Sequence, residues 1–372
     1  MEESHKTPFV DLFCGIGGAS TGATAAGYAV VLAVDNDARA LKVHAQNHPD
    51  TTHANRLLPD LSGVHMPTAG SAWHLHGSPP CTKLSIMNQQ RDADAQAQGL
   101  ELVRWYLEFA LSSTATTWTM EQVGTPLVRA LLQEYTAEGS PHEGRIDWEV
   151  FDMCNFGVPQ VRKRLIAGSP KLIAKLRQLP RRRRSVRDVI SVPRGTHIRG
   201  STKWSSWGKI GTKEEQAKSG KRAVRILNDQ PLPEGYHRGG PNGEHAYKYF
   251  GPDECCHSIN APVNCVTASA ATLRWASPGT GTPLAPLTPR EAALLQCFPE
   301  DYKLDAQVIR ARRGIGNALP PLFMQRLLAD ADPLAEPEYA TPISPSLLSW
   351  LPEDYSLVGS RDAAPISPSL AS

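Results

Sequence analysis

One cysteine and a few charged partners are the residues whose types and spacing could do chemistry. Gly77-Ser-Pro-Pro-Cys81 sets a thiol directly behind two prolines, which fix the turn and remove backbone donors. A thiolate held this way can act as a nucleophile, although the pentapeptide alone fits a buried turn cysteine better. Glu121 ends the β-like run Thr119-Met-Glu-Gln-Val123, so its carboxylate can reach the same sheet edge as Cys81. A thiolate beside a carboxylate that shares a proton suits addition to an electron-poor ring. Gln160-Val-Arg162-Lys-Arg164 offers two guanidinium groups that point the same way on a strand, toward a phosphate or a base carbonyl; a solvated strand face explains the same charges. The run Phe9-Val-Asp-Leu-Phe13 leads into Cys14-Gly-Ile-Gly-Gly18, where glycines permit a tight turn and a close ligand approach. Asp35 ends the next β-like run, where a carboxylate can accept from ribose hydroxyls. Together these two sites suggest a nucleoside cofactor. The spacing is not GxGxxG and no phosphate-binding lysine follows, which disfavours a dinucleotide or a triphosphate.

Elements must hold these groups together, and the first 170 residues alternate strand and helix signals as an open α/β sheet does. Strands are expected over Pro8 to Phe13, Tyr28 to Val34, Trp73 to His76, Thr117 to Gln122 and Ile146 to Phe151. Helices are expected over Ala19 to Ala26, Ala38 to Gln46, Leu100 to Leu111, Thr288 to Gln296 and Leu319 to Ala329. From Lys171 the periodicity weakens through Arg181 to Arg184 and Trp204-Ser-Ser-Trp207-Gly-Lys209, as an inserted second domain would. Beyond Ala331 the chain is rich in Pro and Ser and nearly repeats an octapeptide at Pro342 and Pro365, a composition that favours disorder.

The chain has 372 residues, 41% hydrophobic, enough for a large domain or two moderate ones. Its 39 basic and 37 acidic residues give a net charge of only +2, which taken whole argues against a nucleic-acid protein. Local counting reverses that. Residues 171–285 carry 20 Lys and Arg against 8 Asp and Glu, a balance of +12, leaving 19 against 29, or −10, for the rest. Seven cysteines, scattered from Cys14 to Cys297, do not read as a disulfide framework. Neither Cys255-Cys256-His257 with Cys265 nor His44 with His48 fits a zinc pattern, so no metal is expected. No apolar run is long enough for a membrane span, and the N-terminus lacks the features of a secretory signal, so a cytoplasmic location is expected.

Asp11-Leu-Phe-Cys-Gly-Ile-Gly-Gly18, Asp35, Pro79-Pro-Cys81, Glu121, Gln160-Val-Arg-Lys-Arg164, Thr288-Pro-Arg-Glu291 through Pro299, and Gly314-Ile-Gly-Asn317-Ala-Leu-Pro-Pro321 follow in an order and spacing that resemble the DNA cytosine-5 methyltransferases. The resemblance runs from about residue 8 to 330. It implies a Rossmann-like, S-adenosylmethionine-dependent methyltransferase sheet over 1–170 and 286–330, with a small target-recognition domain inserted at 171–285 and a tail over 331–372. It also implies that Cys81 adds to C6 of a cytosine flipped from duplex DNA, with Glu121 on N3 and the amine, Arg164 on the carbonyl and Arg162 in support. Phe13, Gly15, Gly17, Gly18, Asp35, Asn36, Asn55, Pro79 and Asn317 would surround the cofactor. Arg199, Lys203, Lys209, Lys221, Arg222 and Arg225 are the expected DNA contacts. A monomeric bacterial or phage enzyme at the nucleoid is expected, with a restriction endonuclease as a conceivable partner.

The pattern departs from the family around Cys81, which is followed by Thr82-Lys83-Leu84-Ser85, and at Glu121-Gln122-Val123, His53-Ala-Asn55-Arg56 and Cys265-Val266. Lys83 and Arg56 add cations on the expected cofactor side, read as loop drift or phosphate contacts, or more sharply as partners for carboxy-S-adenosylmethionine with 5-carboxymethylcytosine as product. The same motifs would also suit a transfer RNA cytosine-5 methyltransferase or a catalytically silent DNA-binding relative.

Overall fold

The structure, a computed structural model, describes residues 6–68, 70–80, 93–190, 197–200, 236–239, 245–248, 256–258, 262–268, 273–276 and 283–334. Cys81, Lys83, Lys203, Lys209, Lys221, Arg222, Arg225 and the tail from residue 335 lie outside the described residues.

The central sheet contains β1 (Pro8–Leu12), β2 (Ala29–Asp35), β3 (Thr52–Asn55), β4 (His74–Gly77), β5 (Thr117–Gln122) and β6 (Asp147–Asp152); after the two-residue β7 (Gln160–Val161) comes its seventh strand, β8 (Lys163–Gly168). The order is β3-β2-β1-β4-β5-β8-β6. All neighbours run parallel except β8, which is antiparallel to both β5 and β6. Parallel strands need crossover helices that cover both faces, which is why β1 and β4 are apolar or buried along their length.

Five helices lie in the first half: α1 (Gly18–Ala25), α2 (Ala38–Asn47), α3 (Ala93–Ser112), α4 (Pro126–Thr136) and α5 (Pro170–Gln178); α6 (Pro289–Leu295), α7 (Val308–Asn317) and α8 (Pro321–Leu328) follow the insertion. One face of the sheet buries Val10, Leu12, Leu75 and Met120 with Leu107 of α3 and Leu131 of α4. The other buries Phe9 and Ile166 with Ala23 of α1, Ile173 of α5 and Phe323 of α8. Gly22 of α1 lets α8 approach closely, since a Cβ there would collide with the Pro321 carbonyl. The Thr288-Pro-Arg-Glu291 run is a capping box: the Thr288 backbone donates to Glu291 Oε2 at 2.7 Å and the Glu291 backbone donates to Thr288 Oγ1 at 3.2 Å.

The boundary expected at Lys171 falls inside α5, which packs on β6, β8 and α8. Its basic residues belong to the sheet domain: Arg177 donates to Asp147 at 2.9 Å and to Glu149 at 2.7 Å. The inserted strands begin at β9 (His197–Gly200) and continue through β10 (Tyr236–Gly239), β11 (His245–Lys248), β12 (Cys256–Ser258), β13 (Val263–Asn264), β14 (Leu273–Ala276) and β15 (Pro283–Pro286). Four of them make a sheet in the order β12-β9-β14-β15, and Arg199 takes a register position opposite Cys256 and Arg274. Strand β13 instead pairs in parallel with β7, joining the insertion to the Gln160-Val-Arg motif.

Candidate functional site

The carboxyl ends of β1, β2, β4 and β5 converge on a cavity of about 380 Å³, closed on its far side by α7. This is where open α/β sheets bind ligands. After β1, Phe13 adopts φ +58°, unusual for a bulky residue, and Gly15 and Gly17 adopt φ +54° and +96°. The turn is fixed across strands: the Gly15 backbone donates to Asp35 Oδ2 at 2.8 Å, and the Asp37 backbone donates to Asp35 Oδ1 at 2.8 Å. Burial pushes the Asp35 carboxyl above the usual carboxylate range despite those donors. Asp37 in turn caps α2, accepting from the Arg39 backbone at 2.9 Å.

Of the expected cofactor residues, Phe13, Gly15, Gly18, Asp35, Asn36, Pro79 and Asn317 line the cavity. Gly17 does not: it faces a packed interior, where a Cβ would press on Tyr302 and His44. Asn55 does not either; its amide donates to the Asp35 carbonyl at 3.0 Å, and with Arg56 it lines a second cavity at the β3 edge. Arg56 is directed to the Ser62 carbonyl at 3.3 Å, away from the first cavity. Among the described residues, the cations that line it are Arg39, Arg310 and Arg313.

Glu121 is buried at the end of β5 and forms part of the cavity wall. Because β8 runs back antiparallel beside β5, Arg164 arrives next to it, with Nε 2.8 Å from Glu121 Oε1. Gln122, where the family pattern has Asn, is fully buried and donates to the Pro79 carbonyl at 3.0 Å. It thereby ties β5 to the Ser78-Pro79-Pro80 edge of the cavity from which the chain enters position 81.

Arg162 feels the charges of Arg164 and Glu121, but its hydrogen bonds go elsewhere. It lies between β7 and β8, only 1% exposed, and its guanidinium donates to the carbonyls of Val266 at 3.1 Å, Gly316 at 3.1 Å and Ala318 at 3.0 Å. Gln160 completes this clasp: it accepts from the Val266 backbone at 2.9 Å and donates to the Leu295 carbonyl at 2.8 Å and to Gln296 at 2.6 Å. Arg162, expected in support of Arg164, thus directs its hydrogen bonds to the loop after β13 and to the end of α7.

Two residues without an expected role stand in the cavity wall. Ser78 lies within 3.0 Å of His76 Nε2. Asp11, 1% exposed, accepts from Ser20 Oγ at 2.6 Å, while its Oδ1 has no partner. Nothing in the composition of Phe9-Val-Asp-Leu-Phe13 separates that carboxylate from a capping or turn residue; only the strand's position under the glycine turn does. Among the described residues no group of His, Cys, Asp or Glu could hold a metal ion, and no helix is long and apolar enough to cross a membrane.

The strand order, the reversed β8 and the cavity at the strand ends define the Rossmann-like fold of S-adenosylmethionine-dependent methyltransferases. The family model for C-5 cytosine-specific DNA methylases matches residues 7–331, and the chain belongs to that family. It is 26% identical to the type II methyltransferase M.XorII of Xanthomonas oryzae pv. oryzae over 354 residues, covering 84% of this chain and 82% of that protein. It is 26% identical to M.HgiDI of Herpetosiphon aurantiacus, covering 84% and 89%. A 32% match to M.AgeI of Thalassovita gelatinovora covers 42% of this chain and 38% of that protein. Among solved structures, a candidate DNA modification methyltransferase encoded within an E. coli prophage shares the fold with a TM-score of 0.52, at 20% identity over 87% of this chain and 97% of that one.

Proposed function

We propose that the protein transfers the methyl group of S-adenosylmethionine to C5 of a cytosine flipped out of duplex DNA, through a covalent bond between Cys81 and C6 of the base. The observation that carries this reading is the buried Glu121 in the cavity wall, paired with Arg164 at 2.8 Å, next to the Pro79-Pro80 edge that leads into Cys81. The cavity fits the donor. It has room for a nucleoside and a carboxylate at the end of β2.

S-adenosylmethionine, when bound, supplies an electrophilic methyl group. The protein must make C5 nucleophilic. Cytosine C5 is a poor nucleophile and is stacked inside the helix; extrusion costs roughly a few kcal/mol. Addition of the Cys81 thiolate to C6 turns the ring into an enamine, with Glu121 holding N3 and the exocyclic amine as charge develops there. Arg164, aligned by Glu121, meets the base carbonyl. After transfer, loss of the C5 proton and expulsion of Cys81 leave 5-methylcytosine. Arg162 and Gln160 hold the loop after β13 against α7 throughout, tying the DNA-reading insertion to the donor cavity.

Cys81→Ala abolishes tritiated-methyl transfer while DNA binding is retained, and the parent protein forms an irreversible adduct with DNA containing 5-fluorocytosine. Wild-type turnover by Cys81→Ala sinks the reading, and absence of the adduct favours a silent DNA-binding relative. Tritiated-methyl transfer to transfer RNA but not duplex DNA points instead to an RNA enzyme. A donor bearing an extra carboxylate is the second reading, now supported by Arg310 and Arg313 in the cavity wall rather than by Arg56. Mass spectrometry of product nucleosides separates the donors, with 5-methylcytosine alone excluding the carboxylated one. Similarity to type II methyltransferases makes a restriction endonuclease of the same site specificity the expected partner.

A further inference from the structure

The basic balance of residues 171–285 is concentrated at their start. Residues 171–190 carry 8 Lys and Arg against 1 Asp, a balance of +7, which leaves 12 against 7, or +5, for 191–285. That first stretch is α5 and the segment after it, whose Val186 and Ile190 share a core with Leu294 of α6 and Ile315 of α7, so most of the excess charge sits on the sheet domain. We infer that Arg181, Arg182 and Arg183, with Lys163, form a strip that binds the phosphate backbone of duplex DNA beyond the recognised site. This rests on the reading of duplex DNA as the substrate.

The strip has a fixed backbone. The Arg182 backbone donates to the Asn155 carbonyl at 2.8 Å, and Arg182 forms a parallel bridge with Phe156. Arg183 Nε donates to Asn155 Oδ1 at 3.0 Å. All three arginines are exposed, whereas Arg184 is half-buried and donates to the Asp188 carbonyl at 3.3 Å. Lys163 is exposed at the start of β8, and it and Arg183 both act on the Cys154 thiol, so they are neighbours on one surface.

Arg177 of α5 is answered by Asp147 and Glu149, but the cations of the strip are not answered in this way. Among the described residues, no carboxylate forms an ion pair with Arg181, Arg182, Arg183 or Lys163. Asp332 feels Arg182 but is bonded to Arg326 Nε at 2.7 Å. Asp152, opposite Lys163, accepts from the backbones of Arg162 at 3.1 Å and Cys154 at 3.3 Å. Unanswered cations of one sign on an ordered backbone are the electrostatic footprint of a polyanion.

Their place in the fold fits the duplex. Because β8 is antiparallel to β5 and β6, its first residues lie at the carboxyl ends of both, the edge on which the cavity opens. Lys163 directly precedes Arg164, the partner of Glu121. From β5 to β6 is two strand spacings, roughly 10 Å, and phosphates of one strand recur about every 3.4 Å, so the contacts fall roughly three or more nucleotides from the flipped base. Such contacts carry no sequence information; they hold the duplex in register on the sheet domain while the insertion reads bases.

The test is binding of the full chain, by fluorescence anisotropy over a salt series, to a duplex several helical turns long, centred on a cytosine that bisulfite sequencing shows the protein to methylate. Arg181→Gln, Arg182→Gln and Arg183→Gln together lower the slope of log affinity against log salt by about 2.7, so between about 50 and 200 mM salt the parent loses about 40-fold more affinity than the variant. Lysine at the same three positions keeps the charge and the slope, which separates charge from structure. Arg177→Gln, whose charge is answered within the domain, leaves the slope unchanged. Ethylation of phosphates on one flank, roughly three or more nucleotides from the target, weakens binding of the parent. That pattern is read on the unaltered protein, so the test survives a variant that fails to fold. No flank interference, an unchanged slope in the Gln variant, or a Lys variant with the Gln variant's slope overturns the strip while leaving duplex DNA as the substrate. A parent that binds no duplex and methylates only transfer RNA overturns the DNA reading itself.

Discussion

Replacing Arg162 by Met separates a clasp from a chemical group. The guanidinium satisfies three backbone carbonyls, those of Val266, Gly316 and Ala318, and Nη1 also lies 3.4 Å from Cys265 Sγ. Met fills much of the volume and donates nothing. Each buried carbonyl left unpaired costs about 1–3 kcal/mol. Against that, Arg162 Nε has no partner in the native fold, and removing a fully buried cation recovers part of its desolvation cost. The net expectation is a loss of about 2–4 kcal/mol, a large share of the roughly 5–15 kcal/mol by which domains are stable. Urea denaturation, followed by far-ultraviolet circular dichroism and by tryptophan fluorescence, reads it as a lower midpoint at unchanged slope. Arg162→Lys recovers little, because an ammonium lacks the planar fork that spans two loops. Arg164→Met behaves oppositely: it removes one partner of the Glu121 pair, costs less stability and eliminates turnover. The reasoning is refuted if Arg162→Met keeps the parent's stability within about 0.5 kcal/mol and is nevertheless inactive, because the guanidinium would then act in the chemistry.

Glu121→Gln preserves shape but removes the charge that aligns Arg164, and is expected to lower kcat in methyl transfer by at least about a hundredfold with little change in donor affinity. Gly18→Ala places a methyl group against the Leu319 carbonyl and is expected to destabilise by about 1–3 kcal/mol in the same urea titration. Ligand-free Asp11→Asn is expected to be more stable than the parent above pH 7. A carboxyl whose pKa rises from 3.8 to about 7 on folding opposes folding increasingly as pH climbs through that window, by at most about 4 kcal/mol. Thermal melts at pH 5 and pH 8 check this, with the variant's advantage over the parent expected to be more than twice as large at pH 8 as at pH 5.

How much was legible follows from which signals are local. Pro8–Leu12, Ala29–Asp35 and Thr117–Gln122 were readable because buried parallel strands are short apolar runs bounded by turn residues. Strand β3 was not, since Thr52–Asn55 is a partly exposed polar edge with no alternation to detect. Helix α7 was hidden as well: Val308–Asn317 contains three arginines and two glycines and resembles a loop until Ala311 and Ile315 are seen buried. Counting charge set the expected boundary inside α5, because helix-surface cations answered by Asp147 and Glu149 look the same in composition as cations facing a partner. Alternation did not reveal that Arg162 and Arg164 bond to different partners, for a geometric reason. The chain leaves β7 at Arg162 before β8 begins, so the two side chains do not share one strand's periodicity.

Two almost fully buried charges illustrate why motifs alone could not assign roles. Arg162 and Asp11 are equally buried and both lie in family motifs. Arg162 directs its Nη atoms to backbone of the loop after β13 and the end of α7, so its charge is consumed in holding the fold together. Asp11 is held through Oδ2 by Ser20, feels a second carboxylate, and keeps a buried Oδ1 without a partner. A buried charge that the protein satisfies acts on structure. One that it leaves unsatisfied keeps its proton instead, so its cost to the fold grows as pH climbs from the ordinary carboxylate range to its raised pKa of about 7.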